Sequence, residues 1–160
     1  MSWVAPDTYL VGALLTAASM NKISGDLNEL PYQFDFASIT APVTLSGTTE
    51  GGAVTVVTGN AVTYLATQVE IEFFCPETTV ATTSTLVFLR DSTVVGHSIL
   101  GAITAQAGST HKAFDTPGAG THTYSVKGYS AAGTGVVQAG AGGAGNLVPA
   151  YMRVTNAPAT

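Results

Sequence analysis

The chain has 160 residues, enough for one domain with a hydrophobic core plus an extension too small to fold alone. Hydrophobic residues make up 46% of it and charged residues only 9%, against roughly 25% charged in an average domain, so much of the surface is neutral and suited to burial against neighbours. The net charge is -5, and the five basic residues, Lys22, Arg90, Lys112, Lys127 and Arg153, are scattered, which excludes nucleic acid as a ligand because phosphate binding needs clustered Lys and Arg.

The opening residues lack the basic start and continuous apolar stretch of a signal peptide, and no run approaches the roughly 18 apolar residues of a membrane span. This points to a protein made in a cytoplasm, not exported by the usual route and without a membrane partner. Residues 1 to 13 carry Trp3, Pro6, Tyr9 and Gly12, which favours an extended arm over a regular element. Leu15 and Thr16 then fit a hydrophobic staple and N-cap. Beyond them Met20, Ile23, Leu27 and Leu30 recur at spacings of three, four and three, one stripe of a short amphipathic helix that Pro31 ends. A helix of about 14 residues is unstable alone. Trp3, Tyr9, Leu14, Leu15, Met20, Ile23, Leu27 and Leu30 are therefore the predicted partner-binding residues, because the arm needs something to lie against.

From Pro42 onward the period changes to two. Val69, Ile71 and Phe73 face one way and Glu70 and Glu72 the other, the alternation of a half-buried strand with a solvated acidic face. Thr83 to Arg90 is apolar on both faces, which predicts a central strand, and Arg90-Asp91-Ser92 turns it into Thr93 to Leu100 as a hairpin. Further strands are predicted at Pro42 to Ser46, Ala53 to Val57, Ala61 to Leu65, Ala102 to Ala107, Thr121 to Tyr129, Gly135 to Ala139 and Val148 to Thr155. Short strands between Gly-, Pro- and Ser-rich turns indicate a mainly β chain, a sandwich or jelly roll. The predicted division is an N-terminal arm over 1-40, with a helix at about 16-30, and a β domain over 41-160.

Nothing in the pattern assembles a catalytic or cofactor site. Gly140 to Gly145 formally satisfies GxGxxG, but a strand follows it where the dinucleotide fingerprint requires a helix, so it reads as a loop or a close subunit contact. His97, His111 and His122 lack metal-ligand spacing and read as turn or strand-face residues. Glu70, Glu72 and Glu77 could hold calcium only with loop oxygens, and a solvated strand face is the simpler reading. Gly96 to Leu100 lacks the second Gly of a nucleophile elbow, and Asp115-Thr116-Pro117-Gly118 reads as a reverse turn. The lone Cys75 follows an apolar run, which predicts a small buried residue. The expectation is a non-enzyme with no cofactor and no metal.

"LTAASMN" at 15 to 21, followed by "DLNEL" at 26 to 30, resembles the opening of many small virion proteins of tailed bacteriophages. Downstream, "GAGTHTYSV" at 118 to 126, "GYSAAGTG" at 128 to 135 and "VPAYMRVT" at 148 to 155 look like the closing strands of a tumour-necrosis-factor-like trimeric jelly roll. The resemblance implies a homotrimer on the capsid exterior as decoration or head fibre, whose partner is the major capsid protein or a tail protein. The alternative is a minor tail or receptor/glycan-binding virion protein using loops such as 129 to 147.

Overall fold

The computed structural model describes residues 33–157 apart from Ala81. The arm residues Trp3, Tyr9, Leu14, Leu15, Met20, Ile23, Leu27 and Leu30, and the helix predicted around them, lie outside the described residues. The described chain is almost entirely strand: β1 Gln33–Ile39, β2 Val43–Leu45, β3 Val54–Thr58, β4 Val62–Tyr64, β5 Val69–Val80, β6 Ser84–Arg90, β7 Thr93–Leu100, β8 Ile103–Asp115, β9 Gly120–His122, β10 Tyr124–Ser130, β11 Gly135–Gln138 and β12 Ala150–Asn156. Its one helical element is a 3-10 turn at Glu50–Gly52.

The eight longer strands pair first with last and inward from there: β1 with β12, β3 with β10, β5 with β8, and β6 with β7, all antiparallel. Pairing β12 with β5 and β10 with β6 makes two sheets, in the orders β1-β12-β5-β8 and β3-β10-β6-β7. This wrapping of one long folded ribbon is a jelly roll, and the mainly β architecture is the one the period-two pattern predicts. Both sheets supply the single core: Ile71, Phe73, Met152 and Val154 from the first meet Leu86, Phe88, Tyr124 and Val126 from the second, all with no exposed surface. Burying each large side chain contributes roughly 1.5–3 kcal/mol. As predicted, β6 is interior and buried on both faces, Leu86 and Phe88 inward and Val87 and Leu89 outward.

The short strands β4 and β9 pair with each other, whereas β11 and β2 follow from one residue. Pro76 lies within β5 and has no N–H to give a ladder. On one side β8 keeps its register past the proline, with Ser109 opposite Cys75 and Ala107 opposite Glu77. On the other edge β12 pairs up to Phe74, and β11, itself paired with β2, resumes at Glu77. β11 and β12 therefore lie in line on one edge of β5, and residues 139–149 loop out opposite the proline. That loop holds the glycine run. Gly142, Gly143 and Gly145 take positive φ, and backbone bonds from Gly140 N to Val148 O (3.2 Å) and Gly142 N to Leu147 O (2.9 Å) fix its shape.

Besides the extension of the strand predicted at Ala102 to Ala107 into β8 and the division of Thr121 to Tyr129 between β9 and β10, two features differ from the sequence expectation. Residues 33–39, read as the end of the arm, form the edge strand β1 of the first sheet. A register shift between Gln33 and Asp35 turns Phe34 onto the core, while Phe36 points outward and Asp35 is buried, so the Phe-Asp-Phe pattern conceals the strand. Asp35 is held by Asn60, whose backbone N and Nδ2 donate to its two oxygens at 2.8 and 2.9 Å. The second difference is Asp115, which is no simple turn residue. Its Oδ2 accepts from Arg90 Nη1 at 2.7 Å and from the Tyr124 hydroxyl at 2.8 Å, tying β8 of one sheet to β6 and β10 of the other. Burial, and then the Asp115 hydrogen bond, push the Tyr124 phenol far above its usual value.

The β6–β7 hairpin turns at Asp91, in the left-handed region at φ 54, a conformation Asp tolerates. Its carboxylate accepts from the Thr123 amide at 2.9 Å and bonds His122 Nδ1 at 2.8 Å. These two contacts, the histidine first, hold the carboxyl below the ordinary aspartate range. A folded-state value below the unfolded one gives stability that is complete above about pH 3.9 and is lost as pH falls toward the folded value. Urea unfolding midpoints should therefore drop below pH 4, and Asp91→Asn should make that drop shallower, the difference from wild type being confined to the region below about pH 4.

Candidate functional site

In an antiparallel sheet the residues directly opposite one another share a face, so the register of the first sheet fixes what it presents outward. One row across β1, β12, β5 and β8 is Ser38, Tyr151, Phe74 and Thr110; the next is Phe36, Arg153, Glu72 and Lys112; the third adds Thr155, Glu70 and Phe114. Phe36 and Phe114 are 47% and 50% exposed. The Tyr151 ring stands between those of Phe36 and Phe74, with centroids 5.4 and 5.3 Å away and interplanar angles of 28° and 29°. Rings stacked in this way across three strands cover the faces they turn toward one another.

Beside the aromatic stack runs a row of alternating charge. Arg153 Nη2 donates to Glu72 Oε1 at 3.0 Å, Lys112 Nζ lies 3.5 Å from Glu72 Oε2 and donates to Glu70 Oε1 at 2.7 Å, and the Tyr151 hydroxyl donates to Glu72 Oε1 at 3.4 Å. The Glu70 bond, with the charges of both glutamates, holds Lys112 above its ordinary range. Glu72 is only 8% exposed. The solvated acidic face expected for Glu70 and Glu72 is thus corrected: cations on the flanking strands β8 and β12 pair with them, and two positive and two negative groups leave the row neutral.

The other residues singled out from the sequence do not converge. His97 bonds Glu50 at 2.7 Å, His122 bonds Asp91, and His111 lies between Ser98 and Ser109. Cys75 is fully buried, as expected, and burial raises its thiol. Glu77 pairs in register with Ala107 and Gln138, apart from the charged row. No three His, Cys, Asp or Glu residues come together to hold a metal among the described residues, and no described helix is long and apolar enough to cross a membrane. The sequence reading missed Phe36, Phe74, Tyr151, Lys112 and Arg153 as surface residues. The available signal was Tyr151 and Arg153 alternating with Met152 and Val154, which marks an outward row; which strands flank it is set by topology.

Compared with known proteins, the chain matches no family model and no curated sequence.

A partly buried carboxylate with two flanking cations couples to each of them more strongly than an exposed surface pair does. A double-mutant cycle on Glu72→Ala and Arg153→Ala, read from urea unfolding, should give a coupling energy of about 1 kcal/mol that survives in 0.5 M salt. Additive single effects would show that the row carries no energy.

Proposed function

We propose that this chain is a non-enzymatic structural protein of a bacteriophage virion: a homotrimer of jelly rolls that decorates the capsid exterior and attaches to the major capsid protein through its N-terminal arm. The observation that carries the reading is the outward face of the β1-β12-β5-β8 sheet. It joins an aromatic stack to a charge row that neutralises itself. In a protein of net charge -5, such a face can pack against a different surface of a neighbouring subunit around a three-fold axis without charge repulsion, and its exposed rings can enter that contact. The eight-strand wrapping is also the fold that the tumour-necrosis-factor-like resemblance implies.

Sedimentation equilibrium of the full chain at micromolar concentration should return three times the 16.2 kDa chain mass. Phe36→Glu combined with Tyr151→Glu should return the single-chain mass with an unchanged β circular dichroism spectrum. A wild-type monomer would overturn the trimer. Independently, Met20→Asp with Ile23→Asp should leave the trimer folded and abolish its retention on capsids; full retention would remove the arm from the attachment.

A further inference from the structure

The open edge between the two sheets, where β7 of one lies beside β8 of the other, is closed by side chains rather than by a backbone ladder. Its inward positions are Gly96, Ser98 and Leu100 on β7, opposite the core residues Phe88 and Leu86 and the buried Ser84. On β8 they are Ser109, His111 and Ala113, opposite Cys75, Phe73 and Ile71 of β5. Two contacts bridge the edge. At Gly96 an added Cβ would stand 3.0 Å from the Ala113 Cβ, tighter than ordinary contact, so the glycine favours this close approach of the two strands. One inward step along, the Ser98 hydroxyl meets His111 Nδ1 at 2.7 Å.

The bond to Ser98 is the first of a chain. His111 Nε2 meets the Ser109 hydroxyl at 2.9 Å, and that hydroxyl meets the Cys75 sulfur at 3.3 Å. One imidazole therefore joins β7 to β8 and, through Ser109, to the lone thiol on β5. A neutral ring, with one donor and one acceptor nitrogen, completes both of its bonds to the two hydroxyls.

We propose that this edge is a proton-gated seam: protonation of His111 releases β7 from β8 and opens the sandwich as far as Cys75.

The surroundings decide what a proton does. The groups facing His111 are Ser98 from β7, Ser109 from its own strand, and Phe73 and Cys75 from β5. None is a carboxylate. Asp115, the inward acid of β8, lies four residues along, about 13 Å, and is engaged by Arg90 and Tyr124. Glu70, Glu72, Lys112, His97 and Glu50 belong to the outward faces. An imidazolium here has hydroxyls to donate to but no counter-charge, and burial accordingly lowers the His111 value below the ordinary histidine range. Swinging the ring into water restores its hydration and breaks its bond to Ser98. The sign follows from linkage: the open form binds the proton and the closed form resists it, so opening is favoured as pH falls below about 6.5, by up to tenfold per unit until the folded value is passed. The acid limb set by Asp91 lies lower, so the two titrations are separable.

Cys75 is the natural reporter, because it is the only thiol in the chain and is fully buried when the seam is closed. Labelling of the native full-length protein with 4,4′-dithiodipyridine, divided by the rate for the urea-unfolded chain at the same pH, removes the reagent's own pH dependence. The ratio should rise at least threefold from pH 7 to pH 5.5 in the wild type and stay flat in His111→Gln, whose amide can bridge the same two hydroxyls. An equal ratio at both pH values in the wild type, or the same rise in His111→Gln, overturns the proposal. Should His111→Gln not fold, amide exchange of the wild type decides. Protection normalised to intrinsic rates should fall with acid in β7 and the facing half of β8 but hold in β10, and a uniform fall overturns the seam. Neither readout depends on the trimer or on capsid attachment.

Discussion

The rest of this architecture hangs on the antiparallel ladder between β5 and β8, the two longest strands. On its free edge β5 supports two strands in succession, β12 and β11, and the change from one to the other falls at Pro76. A missing amide within a ladder strand would ordinarily mark a poor place for a central strand. Here the cost is confined to one position, because β8 holds its register on one side and the chain on the other side loops out between β11 and β12. That excursion is the glycine run, whose positive φ angles let eleven residues leave and re-enter the line of a single edge.

The elements legible in the sequence were those whose two faces differ in chemistry or whose ends carry turn residues. β6, β7 and their Asp91-Ser92 turn were readable because an unbroken apolar run is followed by a turn pair, and both properties act locally. β1 was not, because its alternation is shifted by a bulge at Phe34 and its inward polar residue, Asp35, is satisfied by Asn60, which lies 25 positions away. The far half of β8 was missed for a related reason. Ser109, His111 and Asp115 occupy inward positions, so the strand lacks an apolar face to read, and what makes those residues acceptable inside is supplied by β6, β7 and β10.

The outward face shows the same limit from the other side. Glu70 and Glu72, two apart on a strand, look like a solvated acidic edge until Lys112 and Arg153 are brought beside them from positions about 40 and 80 residues further along. Likewise Phe36, Phe74 and Tyr151 are unremarkable alone and become a stack only once three strands are in register. Periodicity tells which face a residue takes. What it meets there depends on strand order, which in a jelly roll pairs the first strand with the last.

The two sheets are joined by polar ties of opposite kinds, and both include β8. At its end, Asp115 is held by a guanidinium and a phenol, an ion pair reinforced by a hydrogen bond. Toward its middle, His111 makes its tie with neutral hydroxyls alone. A jelly roll built this way has a fixed end and an adjustable edge. Because the aromatic stack and the Arg153–Glu72 pair stand on β1, β12 and β5, loosening the β7–β8 edge leaves them in place, and only Lys112 of the charged row belongs to a strand of that edge. An assembly held through that face can keep its contacts while one side of each subunit opens.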